Sequence, residues 1–295
     1  MKAQEIADNA KSEAWGIIKG GEKKKFLWQQ AAIRYVQESN KKSINDDKYI
    51  LRWLKAFLDD KYLCEIDKAL IEEIISAKLN EGVSPSRVNR ITTLINTILN
   101  KAVNEWEWIT HKPHIRKFKE PSIRIRWIKK EEAERLINEL PDHLAAMTKF
   151  TLATGLRESN VLELEWSQVD LIRKFAWIHP DQAKSAKAIG IPLNDDAIAI
   201  LKEQEGNHAT RIFTYKGKIT KKAGTAAWKK ALARAEIKDF RWHDLRHTWA
   251  SWHVQNGTPL NILKELGGWS SFEMVQKYAH LAPEHLAAYC NNSMR

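Results

Sequence analysis

Apolar residues recur along this chain at two spacings, and the change between them divides it. From Phe26 to about Thr110 the period is helical. Ile50, Trp53/Leu54 and Phe57/Leu58 fall three to four residues apart, as do Leu70, Ile74/Ile75 and Lys78/Leu79. A longer helix follows, with Ser84 as N-cap and Pro85 at its first helical position. Its apolar stripe runs through Val88, Ile91, Leu94/Ile95, Ile98/Leu99, Ala102/Val103 and Trp106.

From about residue 122 the pattern is mixed. Helical spacing covers 129–140, 143–154, 194–204, 222–235, 243–255, 259–266, 271–279 and 283–290. Val169–Leu171, Phe175–His179 and Ala188–Leu193 are short strand-like runs and predict a small antiparallel sheet. The expected fold class is mainly α with a small antiparallel β-sheet. An all-helical N-terminal domain spans 26–110, and an α+β domain spans 122–295. Residues 1–25, with Gly16, Gly20-Gly21 and Lys23-Lys24-Lys25, read as a flexible N-terminal leader. Residues 111–121, with Pro113 and Pro121, read as a basic interdomain linker.

The formal net charge of +11 is spread over both halves rather than confined to a tail. Two basic domains point to a polyanion held by both, with nucleic acid the first candidate. The 20-residue stripe beginning at Pro85 has a second face carrying Arg87, Asn89, Arg90, Thr93, Asn96, Asn100 and Lys101, with no acid between Arg87 and Asn104. Such side chains reach phosphates and base edges, so this face is expected to meet DNA. The linker and the first residues of the second domain add Lys112, Arg116, Lys117, Lys119, Arg124, Arg126, Lys129 and Lys130, as a strap crossing a phosphate backbone would. Cys64 and Cys290 have no metal-ligand spacing and form no disulfide framework, which suits a reducing cytoplasm. The first residues lack a signal-peptide pattern and no apolar run approaches ~18 residues, so a cytoplasmic protein off the membrane is expected.

Candidate chemistry gathers in the second domain. His243 and Arg246 stand three apart, sharing a helix face beside the apolar Leu245, Trp249 and Trp252. Tyr278 follows a Ser270-x-x-Glu273 capping box, with Phe272, Val275 and Tyr278/Ala279 on the packed face. A free phenol has a pKa of ~10, so a nucleophilic tyrosine needs a base or nearby cations. Arg157 comes just after Gly155, a residue suited to the left-handed turn that ends a helix; Glu158 and Glu163 are its alternative structural partners. Lys184 and Lys187 lie in the tip of the hairpin between two strands. Trp269, after Gly267-Gly268, is either a core residue or an indole donor. His243 and His247 at i, i+4 would suit zinc, but no Glu completes a His-Glu-x-x-His motif and no acidic partner segment is present.

Taken in order, Arg157, Lys184, His243-x-x-Arg246, Trp269 and Tyr278 resemble the active-site signature of the tyrosine recombinases, the phage-integrase family. The flanking text matches too: Thr154-Gly155-Leu156-Arg157, His243-Asp244-Leu245-Arg246-His247-Thr248, Leu266-Gly267 and Tyr278-Ala279-His280-Leu281. The resemblance covers roughly 26–290 and implies a core-binding domain at 26–110 and a catalytic domain at 122–295. It implies a site-specific recombinase that cuts DNA through a 3′-phosphotyrosine at Tyr278. Arg157 and Arg246 would clamp the phosphate, Lys184 protonate the departing 5′-oxygen, His243 assist proton transfer and Trp269 donate or pack. No cofactor and no metal is implied, because the covalent link conserves the phosphodiester's energy. The implied partners are double-stranded attachment sites, a homo-tetramer on paired sites, and DNA-bending accessory proteins. The segment Ala282–Arg295, with Leu286 and Tyr289, would pack on a neighbouring protomer.

Three departures from the family pattern stand out. Trp269, preceded by an additional Gly268, occupies a position where His is most frequent. Asn160 stands where many members carry Glu. Residues 1–25 are shorter than the arm-binding domain of many phage integrases. The rival readings are a type IB topoisomerase-like relaxer, a decayed integrase acting as a DNA-binding regulator, and a metal nuclease on His243/His247. The recombinase reading requires that the Tyr278 oxygen reach a phosphorus gripped by both arginines.

Overall fold

The computed structural model describes residues 24–120, 125–182 and 188–281. The chain divides into two compact units, Met1–Ser122 and Ile123–Arg295.

The first unit is helical among its described residues: α1 (Trp28–Glu38), α2 (Ile44–Leu58), α3 (Lys68–Asn80) and α4 (Pro85–Asn104). Asp67 caps α3 by accepting from the Leu70 amide. Ser84 is the N-cap of α4 with Pro85 behind it, as the sequence predicts, although its hydroxyl makes no capping bond. The α4 stripe is buried from Val88 through Ala102 and closes a core with Trp28, Leu54, Leu58, Ile71 and Ile75. Inside that core, Asp47 accepts from both the Tyr35 hydroxyl (2.7 Å) and Lys41 (2.8 Å), pinning α1 to α2.

The supposed linker is part of this unit. Ile115 and Phe118 pack on its core. Asn89 binds the strand both ways: its amide donates to the Phe118 carbonyl and the Glu120 carboxylate, and its oxygen accepts from the Phe118 amide. Lys112 donates to Asn96 and Arg116 pairs with Glu72 at 2.7 Å. Residues 111–120 are therefore laid along α4 rather than spanning freely. The leader, as far as residue 23, lies outside the described residues.

The second unit contains α5 (Lys130–Glu139), α6 (Asp142–Thr154), α7 (Glu158–Leu162), β1 (Val169–Asp170), β2 (Phe175–Ile178), β3 (Ile189–Pro192), α8 (Asp195–Glu203), β4 (Thr214–Tyr215), β5 (Lys218–Ile219), α9 (Ala226–Arg234), α10 (Asp244–Gln255), α11 (Leu260–Gly267) and α12 (Glu273–Gln276). Strands β1, β2 and β3 form the expected antiparallel sheet in that order, with Ala176 facing Ile191 and Ile178 facing Ile189. These four residues are buried while Trp177 and Gly190 face outward, the period-2 alternation of a one-sided sheet.

Helix α10 is the axis of this unit, buried from Asp244 through Ser251 and packed against α6 and α11. A helix enclosed on most sides needs no single apolar stripe, so its polar residues are satisfied internally: Thr248 and Ser251 donate back to the carbonyls of Asp244 and His247. The entering chain is tied to it as well, with the Trp252 indole donating to the Ile128 carbonyl at 3.0 Å.

Candidate active site

Two glycine corners build the site. Gly155 ends α6 with φ +66°, and a Cβ there would lie 2.2 Å from the Trp249 ring on α10. Both the left-handed backbone and the close approach of α10 therefore require glycine. The corner sends the chain into Arg157, the N-cap of α7. Gly268 ends α11 in the same conformation, φ +58°, and its Cα abuts Ile189 of β3. That turn swings Trp269 back over Gly267, where a Cβ would be 2.1 Å from the indole. The additional glycine is what delivers the tryptophan.

Arg246 bridges the two corners. Its guanidinium donates to the Gly155 carbonyl and the Gly267 carbonyl, each at 2.6 Å, and lies 4.4 Å from the Trp269 ring centre. It is 4% exposed, and burial together with the neighbouring Arg157 pulls it down to about 9, still cationic at neutral pH. Arg157 has one terminal nitrogen buried without a partner, and burial lowers it too. It pairs with neither of the acids considered for it. Glu158 accepts instead from the Ala223 and Gly224 amides, and the Glu163 carbonyl accepts from Arg211. Among the described residues no carboxylate pairs with Arg157, Arg246 or Lys277. An unpaired buried donor beside a second buried cation is costly unless an anion is meant to fill the gap.

Tyr278 joins this cluster, but not as an accessible nucleophile. It is 1% exposed, and its hydroxyl lies 2.6 Å from Nδ1 of His247. Burial raises its pKa above the ordinary phenol value, partly opposed by Arg246. His247 is pushed down to about 3, chiefly by burial and then by Lys277, His243 and Arg246. The ring is neutral, and in its Nε2-protonated tautomer the phenol donates and Nδ1 accepts. The expected capping box is absent. Phe272 is the N-cap of α12, Ser270 points to the Met274 sulfur, and Ser271 holds the Glu273 carboxylate. The helix is shorter than 271–279, and Val275 and Tyr278 are buried while Phe272 and Ala279 are exposed.

His243, the residue before α10, is exposed to solvent on one side and crowded on the other. Burial of that side, then Arg246, lowers its pKa, with Asp244 opposing. Its ring meets His247 edge-on at 5.1 Å.

Five of the six predicted catalytic residues, Arg157, His243, Arg246, Trp269 and Tyr278, thus come together; Lys184, with Lys187, lies outside the described residues. The two stems of its hairpin both touch the site. Asn160, three residues after Arg157, donates to the Gln182 carbonyl at 3.1 Å, and Gln168 donates to the Gln182 side chain at 2.7 Å. On the other stem Ile189 packs on Gly268. Asn160 thus holds the chain at Gln182 rather than Arg157. Residues that sequence reasoning passed over are His247, weighed only as a zinc partner, and Lys277, whose ammonium lies 5.1 Å from the Tyr278 ring centre. The spacing of His247 from His243 and the adjacency of Lys277 to Tyr278 were the available signals.

On the first unit, Asn89, Asn96, Lys101 and Arg116 are engaged in internal contacts, Lys101 with Glu105 and Glu38. Of the four, Asn89 is buried and holds the fold, while Arg116 remains exposed in its ion pair. Arg87, Arg90, Thr93, Lys117 and Lys119 keep side chains without a hydrogen bond among the described residues. Arg126, in the second unit, donates to the Trp127 carbonyl, and Arg124 lies outside the described residues.

Comparisons agree with this geometry. The model of the phage integrase family matches residues 126–285. The integrase of Salmonella phage P22 is 41% identical over 98% of this chain and 85% of its own length. A lambda integrase dimer bound to a COC′ core site superposes with a TM-score of 0.71 at 18% identity, covering 93% of this chain and 85% of that one. A lambda integrase tetramer bound to a Holliday junction gives 0.72 at 18% identity, over 94% and 86%. The chain belongs to the phage integrase family of tyrosine recombinases. It is a DNA strand-transfer enzyme acting in site-specific recombination.

Proposed function

We propose that this protein recombines duplex attachment sites through a transient bond between Tyr278 and a DNA 3′-phosphate. The observation that carries the reading is the convergence of Arg157 and Arg246, both desolvated and neither ion-paired, on the surroundings of one tyrosine. A phosphodiester is the anion that would occupy such a gap. The Arg246 guanidinium, fixed from behind by two carbonyls and an indole, would hold one non-bridging oxygen, and the unpartnered nitrogen of Arg157 the other. Their attraction grows as charge accumulates in the pentacoordinate state. The Tyr278 oxygen forms a bond to phosphorus as the bond to the 5′-oxygen breaks. Lys184, on the loop whose stems flank the site, would protonate that leaving oxygen, and His243 assists proton transfer. Trp269 acts by packing on Arg246. The 5′-hydroxyl of a second strand then displaces the tyrosine, so the number of phosphodiesters is unchanged.

DNA must uncover the Tyr278 hydroxyl for this to occur, which ties cleavage to its arrival. Arg87, Arg90, Thr93, Lys117 and Lys119 would contact the core-site backbone and bases from the first unit, with Arg124 and Arg126 adding contacts from the second. Four protomers on paired sites, with DNA-bending proteins in attendance, would complete the reaction in the cytoplasm or nucleoid. Among the described residues no helix is long and apolar enough to cross a membrane.

The test is a nicked suicide duplex, tiled across DNA flanking the gene. The unaltered protein should form a covalent adduct that Tyr278→Phe loses while still binding. Binding without any adduct would return the chain to a DNA-binding regulator. Adduct formation with relaxation of supercoils but no joining of two marked sites would favour the topoisomerase-like alternative.

A further inference from the structure

We infer that His247, and not His243, is the group that takes the proton from Tyr278 when the tyrosine attacks DNA. The inference rests on the recombinase reading above and moves to His247 the proton-transfer role given there to His243.

The geometry is direct. Nδ1 of His247 sits 2.6 Å from the Tyr278 oxygen, both residues being almost wholly buried. Among the described residues this is the hydroxyl's one hydrogen-bond partner, and His243 makes none to it. Position is secured on the His247 side: it lies on the most enclosed turn of α10, where its carbonyl accepts from Ser251 at 2.8 Å. An acceptor that touches the reacting oxygen and cannot drift is what proton removal in a transition state needs.

The surroundings decide when the transfer occurs. The groups that bear on the pair are Arg246 from α10, His243 just before it, and Lys277 from the α12 segment. Arg157 from the α6–α7 corner acts through Arg246 and His243, and Asp244 is the acid that bears on His243. All but Asp244 disfavour a proton on His247. In the free protein an imidazolium there would join one buried and one half-buried guanidinium and an ammonium, so the phenol keeps its proton and the nucleophile stays dormant. A phosphodiester between the arginines adds one negative charge, and the pentacoordinate state a second. The same cations then neutralise the phosphate instead of repelling the imidazolium, and His247 becomes basic when there is something to attack.

The step balances without a further reagent. The O–H bond of Tyr278 breaks and its proton moves to Nδ1 of His247. The phenolate oxygen bonds to phosphorus while the 5′-oxygen leaves with a proton from the general acid of the proposed reaction. On strand transfer the incoming 5′-hydroxyl returns its proton to that acid, and the tyrosine departs as phenolate and recovers the proton from His247.

The experiment uses the full chain and the nicked duplex on which the unaltered protein forms its adduct. His247→Asn and His247→Gln should bind it normally yet form adduct about 100-fold or more slowly, within the range for a lost general base. A 5′-bridging phosphorothiolate, whose leaving group needs no proton, should not restore the rate. The pH profile should change as well. The variants' rate should rise about tenfold per pH unit where the unaltered protein levels off, because hydroxide must now remove the phenolic proton. A second readout needs no variant at 247: in the nitrogen-15 histidine spectrum of the trapped adduct, His247 should carry protons on both ring nitrogens. Rates within about fivefold of the unaltered protein, rescue by the phosphorothiolate, or a neutral His247 ring in the adduct would each overturn the assignment. Absence of any adduct from the unaltered protein would instead remove the recombinase chemistry and this relay together.

Discussion

Gly155→Ala tests whether the corner between α6 and α7 is what aligns the two arginines. Alanine at φ +66° carries left-handed strain of roughly 1 kcal/mol. Its Cβ would also fall 2.2 Å from the Trp249 ring, which is 4% exposed. Overpacking of that kind costs about 1–3 kcal/mol, giving about 3 kcal/mol together. Hydrogen exchange on the full chain reads this locally. Amides of α6 and α10 that open together should exchange about a hundredfold faster, since 1.4 kcal/mol corresponds to roughly a factor of ten. Adding Trp249→Leu separates the contributions, because the overlap disappears while the strain remains; a coupling of about 1–3 kcal/mol is expected. Adduct formation should fall further than stability does, because the displaced Gly155 carbonyl is an anchor of Arg246. Exchange within threefold of the unaltered protein, or strict additivity with Trp249→Leu, would refute the reasoning.

The two arginines should separate in stability though not in activity. Arg157→Ala removes a buried unpaired nitrogen and should leave unfolding within about 1 kcal/mol, whereas Arg246→Ala orphans two carbonyls and should cost about 3 kcal/mol, both abolishing the adduct; urea titrations giving the reverse order would contradict this. His247 contributes to the acid limit of the second unit, beside His143, His243 and His253, which burial also lowers. Its folded pKa, about 3, lies below the ordinary histidine value of 6.5, so the unfolded chain binds the extra proton, and stability present at pH 7 is lost as pH falls below about 6.5. The loss should reach about 2 kcal/mol by pH 5; an equal acid sensitivity in His247→Asn would show that another group is responsible.

The outline of both units was legible because it follows from periodicity. The α4 stripe with its Ser84-Pro85 start, and the three alternating strands, fall where their apolar residues demand. Local signals did less well where tertiary contacts compete. Ser270 and Glu273 match a capping box, yet the Gly268 turn points the segment elsewhere, and Ser271 and Met274 take the partners instead. The β4–β5 hairpin has only two residues per strand, and its turn uses positive φ at Lys216 and Gly217, a pair with weaker turn preference than Asn-Gly. Within the site, the arginines, His243, Trp269 and Tyr278 were readable as an ordered series. The Tyr278–His247 contact was not, since it joins residues 31 positions apart through the packing of α10 on the Tyr278 segment. Asn89 shows the opposite error, a polar residue on a basic face that turned inward to bind the chain at Phe118 and Glu120.

The unmatched cations have a consequence for the molecule at rest. Arg246, buried, repels the half-buried Arg157 and Lys277, so the catalytic unit by itself is held short of its full cohesion. On the proposed reading, a phosphate that enters would relieve this tension and tighten the fold around itself, because whatever binds only the folded form stabilises it. Loading with substrate and consolidation of the domain are thus a single event. The enzyme is at its most robust while it holds broken DNA, which is when coming apart would do the most damage.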